Sequence, residues 1–79
     1  MSKQTIAEHR TEIQAAIERA EPAFGHVTPV SGQRWLNAAK QLEAEKKVRV
    51  IGAHSSRSDW YVCIPPGATW DYERQAFSR

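Results

Sequence analysis

The first half of the chain carries two stripes of apolar residues at helical spacing. Ile6, Ile13, Ile17, Ala20 and Phe24 form the first, with Glu8, Glu12, Glu18 and Arg19 lying off it. Thr5-Ile6-Ala7-Glu8 reads as a capping box: the Thr hydroxyl accepts from an open amide, and Glu8 reaches back to the Thr5 amide. Pro22 disfavours helical geometry at Glu21, so this helix is expected to stop near Ala20. Residues 21–32 then read as a linker punctuated by Pro22, Gly25, Pro29 and Gly32, with Phe24, Val27 and Val30 pinning it to the core. Thr28-Pro29 and Ser31-Gly32 each offer a capping hydroxyl for the next helix.

That helix is expected over residues 31–47. Trp35, Ala38, Ala39 and Leu42 make its buried stripe. At about 100° per residue, Gln33, Arg34, Asn37, Lys40 and Gln41 gather on the opposite face. No acid interrupts them; Glu43 and Glu45 lie at the flank and near the end. Asn, Gln and Arg make paired hydrogen bonds to base edges, and Lys neutralises phosphate, so this face is a candidate for DNA.

The pattern then changes to a period of two. Val48-Arg49-Val50-Ile51 reads as a strand, residues 52–59 as a polar loop, and Trp60-Tyr61-Val62-Cys63-Ile64 as the return strand. Alternation suggests that Val48 and Val50, together with Trp60, Val62 and Ile64, cover the two helices. Pro65-Pro66-Gly67 ends this hairpin. Residues 68–79 hold Trp70, Tyr72 and Phe77, three of the seven aromatic residues. Disordered segments are poor in aromatics, so Trp70 at least is expected to dock. Thr69 is a candidate cap for a short helix there.

The expected fold is therefore a small α+β domain: two main helices, a β-hairpin and a short C-terminal segment. With 79 residues there is room for one domain, its core within residues 5–64 and a tail at 65–79. About sixteen large apolar side chains fall between Ile6 and Ile64, a marginal core for a domain this size. Apolar residues make up 41% of the chain and charged residues 25%, the balance of an ordinary globular protein. Met1-Ser2-Lys3-Gln4-Thr5 lacks the apolar stretch of a signal peptide, which places the chain in the cytoplasm as an expectation.

Net charge is only +2, but it is unevenly spread: residues 1–45 carry −1 and residues 46–79 carry +3. Between Lys46 and Ser58 lie Lys46, Lys47, Arg49, Arg57 and His54, without an acid. Such a patch attracts phosphate through counterion release. Other chemistry finds less support. His54, Ser55, Ser56, Ser58 and Asp59 include the residue types of a nucleophilic triad, but they share one short loop. Catalysis needs preorganised geometry and an oxyanion site, so no enzymatic activity is expected. His9, His26, His54 and Cys63 have no metal-binding spacing, and Cys63 has no partner for an internal disulfide. No metal, cofactor or small-molecule substrate is inferred.

The stretch Trp35-Leu36-Asn37-Ala38-Ala39-Lys40-Gln41-Leu42-Glu43-Ala44-Glu45-Lys46-Lys47-Val48-Arg49-Val50-Ile51 resembles the recognition helix and first wing strand of winged-helix DNA-binding domains. The similarity spans roughly residues 5–64, in the order helix, turn, amphipathic helix, basic hairpin. It implies that Gln33, Arg34, Asn37, Lys40 and Gln41 face bases and phosphates in the major groove. Lys46, Lys47, Arg49, His54 and Arg57 would serve the wing on the backbone or minor groove. The family has a further short helix before its recognition helix, and residues 21–30 leave room for one turn at most. The resemblance implies transcription regulation or a phage- or plasmid-type accessory role. A homodimer is also expected, because one short helix offers few base contacts. The alternative is a protein-interaction module, a small inhibitor or adaptor anchored by hairpin aromatics and by Trp70, Tyr72 and Phe77.

Overall fold

The computed structural model describes residues 5–78. The expectation drawn from Met1–Gln4 and the last residue of the proposed tail, Arg79, lie outside that range. The elements run α1 (Ile6–Glu18), β1 (Ala23–His26), α2 (Gln33–Ala44), β2 (Arg49–His54), β3 (Arg57–Ile64), β4 (Thr69–Asp71) and β5 (Ala76–Ser78). The result is a small α+β domain with two helices and antiparallel sheets.

α1 begins with the capping box: the Glu8 amide donates to Thr5 Oγ1 at 3.1 Å, and the Thr5 amide donates to Glu8 Oε1 at 3.3 Å. Both helices stop earlier than Ala20 and Lys47, and they stop in the same way. After α1 the Ala20 amide donates to the Ile17 carbonyl and the Glu21 amide to Ala16. After α2 the Lys46 amide donates to Glu43 and the Lys47 amide to Leu42. These are Schellman closures, which need a left-handed residue just past the helix. Ala20 (φ 59°) and Lys46 (φ 63°) take that role without being glycine.

The linker contains a strand. Ala23–His26 pairs antiparallel with β3, which lies at the centre of a sheet ordered β1-β3-β2. Thr28 and Ser31 bridge each other instead of capping α2: Ser31 N–H donates to Thr28 Oγ1 at 3.0 Å, and the two hydroxyls lie 2.9 Å apart. Gly32 (φ 83°) takes the N-cap position, with no side-chain cap. A Cβ there would run into the His26 carbonyl and Val27, so glycine is required on space as well as on φ.

The register of the sheet corrects the expected core. Val50 lies opposite Cys63 and Ile51 opposite Val62. Directly opposed residues share a face, so Val48 and Val50 join Tyr61 and Cys63 against the helices. That core contains Ile13, Val27, Trp35, Ala38, Ala39 and Leu42. Trp60, Val62 and Ile64 point to the other side, with Ile51 and Ala53. There the β4–β5 hairpin covers them, contributing Ala68, Trp70 and Phe77. Thr69 opens a strand rather than capping a helix. The domain therefore has three layers, helices, sheet and hairpin, and its core continues past residue 64.

A candidate nucleic-acid interface

α2 packs one side against α1 and β2 and turns the other outward. Gln33, Arg34, Asn37, Lys40 and Gln41 are all exposed, as the helical spacing requires. Their chemical availability differs. Gln33 Nε2 donates to the Thr28 carbonyl at 2.7 Å and ties down the connection from β1. Gln41 Oε1 accepts from Arg10 Nη1 at 2.9 Å, while Arg10 Nη2 reaches Glu45 at 2.8 Å. Arg34 is engaged within the protein as well. Asn37 and Lys40 stand on the same face with no polar partner among the described residues.

The basic hairpin is more self-satisfied than its composition suggests. Lys47 lies 3.2 Å from Glu45, whose carboxyl is held below its ordinary range by that bond and by Arg10, against the opposing effect of desolvation. Arg49 Nη1 donates to the Ala68 carbonyl at 3.2 Å, turning its head toward the C-terminal segment. Arg57 makes a two-point contact with Asp59, Nε to Oδ1 at 3.2 Å and Nη2 to Oδ2 at 3.1 Å. Lys46 and His54 are exposed.

Asp59, weighed in the sequence only as a possible triad member, is instead the centre of an ion-pair cluster. It accepts from Arg57 and shares a 2.8 Å hydrogen bond with His26 Nε2, which crosses from β1. These two contacts, the Arg57 bond first, lower its pKa to about 2. His26 stacks on Trp60 with centroids 4.7 Å apart, and the Arg57 guanidinium sits 5.7 Å from the same ring. The spacing Arg57-Ser58-Asp59 was a legible signal, since residues two apart on a strand share a face. The His26 contact was not legible, because it depends on β1 being a strand.

The proposed aromatic anchors divide. Trp70 is 7% exposed and Phe77 is half-buried on the second core, so neither presents a free surface. Only Tyr72, at 48%, is open. His54 and Asp59 do not meet in a catalytic arrangement; Asp59 is committed to Arg57 and His26. Cys63 is fully buried, and burial pushes its thiol up to about 12. Among the described residues, no three His, Cys, Asp or Glu side chains are grouped to hold a metal ion, and no helix is long and apolar enough to cross a membrane. No protein family, curated protein or solved structure matches this chain.

Proposed function

We propose that the chain is a small double-stranded DNA-binding protein, a regulator or an accessory factor of the phage or plasmid type. α2 lies in the major groove and the β2–β3 hairpin lies along the backbone as a wing. The observation that carries this reading is the outward face of α2. It is exposed, it lacks acids, and it presents Asn37 and Lys40 without competing partners. Asn37 would read a base edge and Lys40 would neutralise a phosphate. The order helix, strand, helix, hairpin fits a winged-helix arrangement in which the strand β1 takes the place of part of the linker. On the wing, Lys46 and His54 are the more available groups, and Arg57 must share its donors with Asp59. A homodimer would double the few base contacts that one α2 supplies.

The test is a titration of duplex DNA at several salt concentrations. Affinity should fall by a constant factor per decade of salt, with a slope of about 0.9 for each phosphate contacted. Failure to bind any duplex at the lowest salt would sink the reading. The alternative of an adaptor anchored by aromatic residues loses Trp70 and Phe77, which pack in the second core, and keeps Tyr72 as its exposed C-terminal anchor.

A further inference from the structure

Asp59 is the one acid between Lys46 and Ile64, and it pairs with Arg57, the first residue of β3 after the hairpin turn. The contact fills one particular edge of the guanidinium. Nε donates to Oδ1 at 3.2 Å and Nη2 to Oδ2 at 3.1 Å, which occupies the side-on edge. A guanidinium carries five N–H donors in a fixed fork. The end-on edge, formed by Nη1 and the second hydrogen of Nη2, has no protein partner among the described residues, and the Arg57 side chain is 54% exposed.

The surroundings hold this geometry in place. The Trp60 ring lies 5.7 Å from the guanidinium, and His26 stacks on the same residue with centroids 4.7 Å apart. His26 Nε2 also shares a 2.8 Å hydrogen bond with Asp59 Oδ2, so β1 steadies the carboxylate that steadies Arg57. A fork bonded along one edge and packed on an aromatic ring has less freedom left to lose when it binds. The pair is also matched in charge. The Asp59 carboxyl is held down to about 2, first by Arg57 and then by His26, so it is ionised at neutral pH. A phosphate drawn to Arg57 would approach that carboxylate and be repelled by it. An arginine compensated in this way has little charge with which to release counterions from DNA. Neutral acceptors escape the repulsion, and two of them side by side match the open fork.

We propose that Arg57 reads a base edge rather than a phosphate, and that Asp59 is the positioning residue that makes it do so. This rests on the duplex-binding reading above. The ligand is a base edge that offers two adjacent neutral acceptors. The Asp59 carboxylate acts twice: it aims the fork, and it removes the attraction that an unpaired arginine has for every phosphate. Lys46 and His54, both exposed, keep the backbone role on the wing.

The experiment selects a preferred duplex from a randomised pool with the wild-type chain. Affinities for that duplex, its single-base-pair variants and a random duplex are then measured at several salt concentrations. Asp59→Asn frees the arginine. It should bind random duplex more tightly, with a salt slope steeper by about 0.9, and lose a preference of at least about fivefold at one base pair. The charge-neutral pair Arg57→Gln with Asp59→Asn should lose the same preference while leaving random-duplex affinity and slope unchanged. Arg57→Lys keeps the charge without the fork and should lose that preference too, which covers the case in which Asp59→Asn fails to fold. Circular dichroism at neutral pH establishes which variants are folded. Equal tightening of Asp59→Asn on every duplex, with the preference intact, overturns the proposal: the carboxylate would then only withhold a phosphate contact. Equal weakening on every duplex overturns it as well, as a structural effect. A wild-type chain that binds duplexes without any preference overturns this proposal alone, whereas one that binds no duplex overturns the duplex-binding reading together with it.

Discussion

The Trp70 indole N–H donates to the Ala53 carbonyl across the second core, at 3.1 Å. This bond ties the C-terminal hairpin to β2 at a site where the backbone has no ladder partner in regular register. The pairing jumps from Gly52↔Tyr61 to His54↔Arg57, leaving Ala53 inside the irregularity. Gln75 Nε2 donates to the same carbonyl, also at 3.1 Å. Two side chains from residues 70–75 therefore satisfy one interrupted backbone group, which is why this segment belongs to the domain.

Trp70→Ala should destabilise the protein by about 3–5 kcal/mol, the range for emptying a large aromatic site. Trp70→Phe keeps a ring and leaves the Gln75 bond in place, so it should cost only about 1 kcal/mol beyond any repacking. Urea denaturation of both variants checks this. Equal stability of wild type and Trp70→Ala would show that the hairpin is an appendage.

Ala20 closes α1 in a left-handed conformation that costs an L-residue roughly 1–2 kcal/mol, while glycine there costs roughly 0.5–1 kcal/mol in unfolded-chain entropy. Ala20→Gly should therefore raise stability by about 0.5–1 kcal/mol. Thermal unfolding at fixed pH measures it, and a lowered midpoint would contradict the Schellman closure.

Asp59 links β1 to the wing and should make that link acid-sensitive. Its folded pKa of about 2 lies below the ordinary value of 3.8, so its contribution is present above 3.8 and is lost as pH falls toward 2. Asp59→Asn should remove this part of the acid dependence and leave the neutral-pH fold intact. Chemical denaturation from pH 6 down to pH 2 reads the difference between the two proteins. Parallel curves for wild type and variant would overturn the assignment.

On α2, Lys40→Ala should weaken DNA binding to all sequences alike and flatten the salt dependence by about one phosphate contact. Asn37→Ala should instead reduce discrimination among sequences, by about 1–3 kcal/mol at one base pair. Competition binding against a specific and a random duplex separates the two. Identical behaviour of both variants would remove the division between phosphate and base contacts.

Cys63 is fully buried and its thiol is pushed up to about 12, so it should resist thiol reagents at neutral pH in the native protein. Rapid labelling without denaturant would show that the sheet opens locally at β3.

Local pattern determined both helices, the capping box at Thr5, the polar face of α2 and the β2–β3 hairpin. Each of these depends on residues within a few positions of one another, so spacing and cap chemistry suffice. The stripe Trp35, Ala38, Ala39, Leu42 is buried as written, because a helix face is set by its own periodicity. What the chain folds against itself was decided only in three dimensions. β1 was hidden in a Pro- and Gly-bearing linker, since four residues become a strand only when β3 offers them an edge. The face of Trp60, Val62 and Ile64 was misassigned because alternation within a strand does not reveal its register with the next. A shift of one residue exchanges the two faces. Once that face turned away from the helices it needed its own cover, and Trp70 and Phe77 supplied it. The wing's charge was likewise settled by contact. Arg57 and Arg49 count as free cations in the sequence, but Asp59 and the Ala68 carbonyl claim them in the fold.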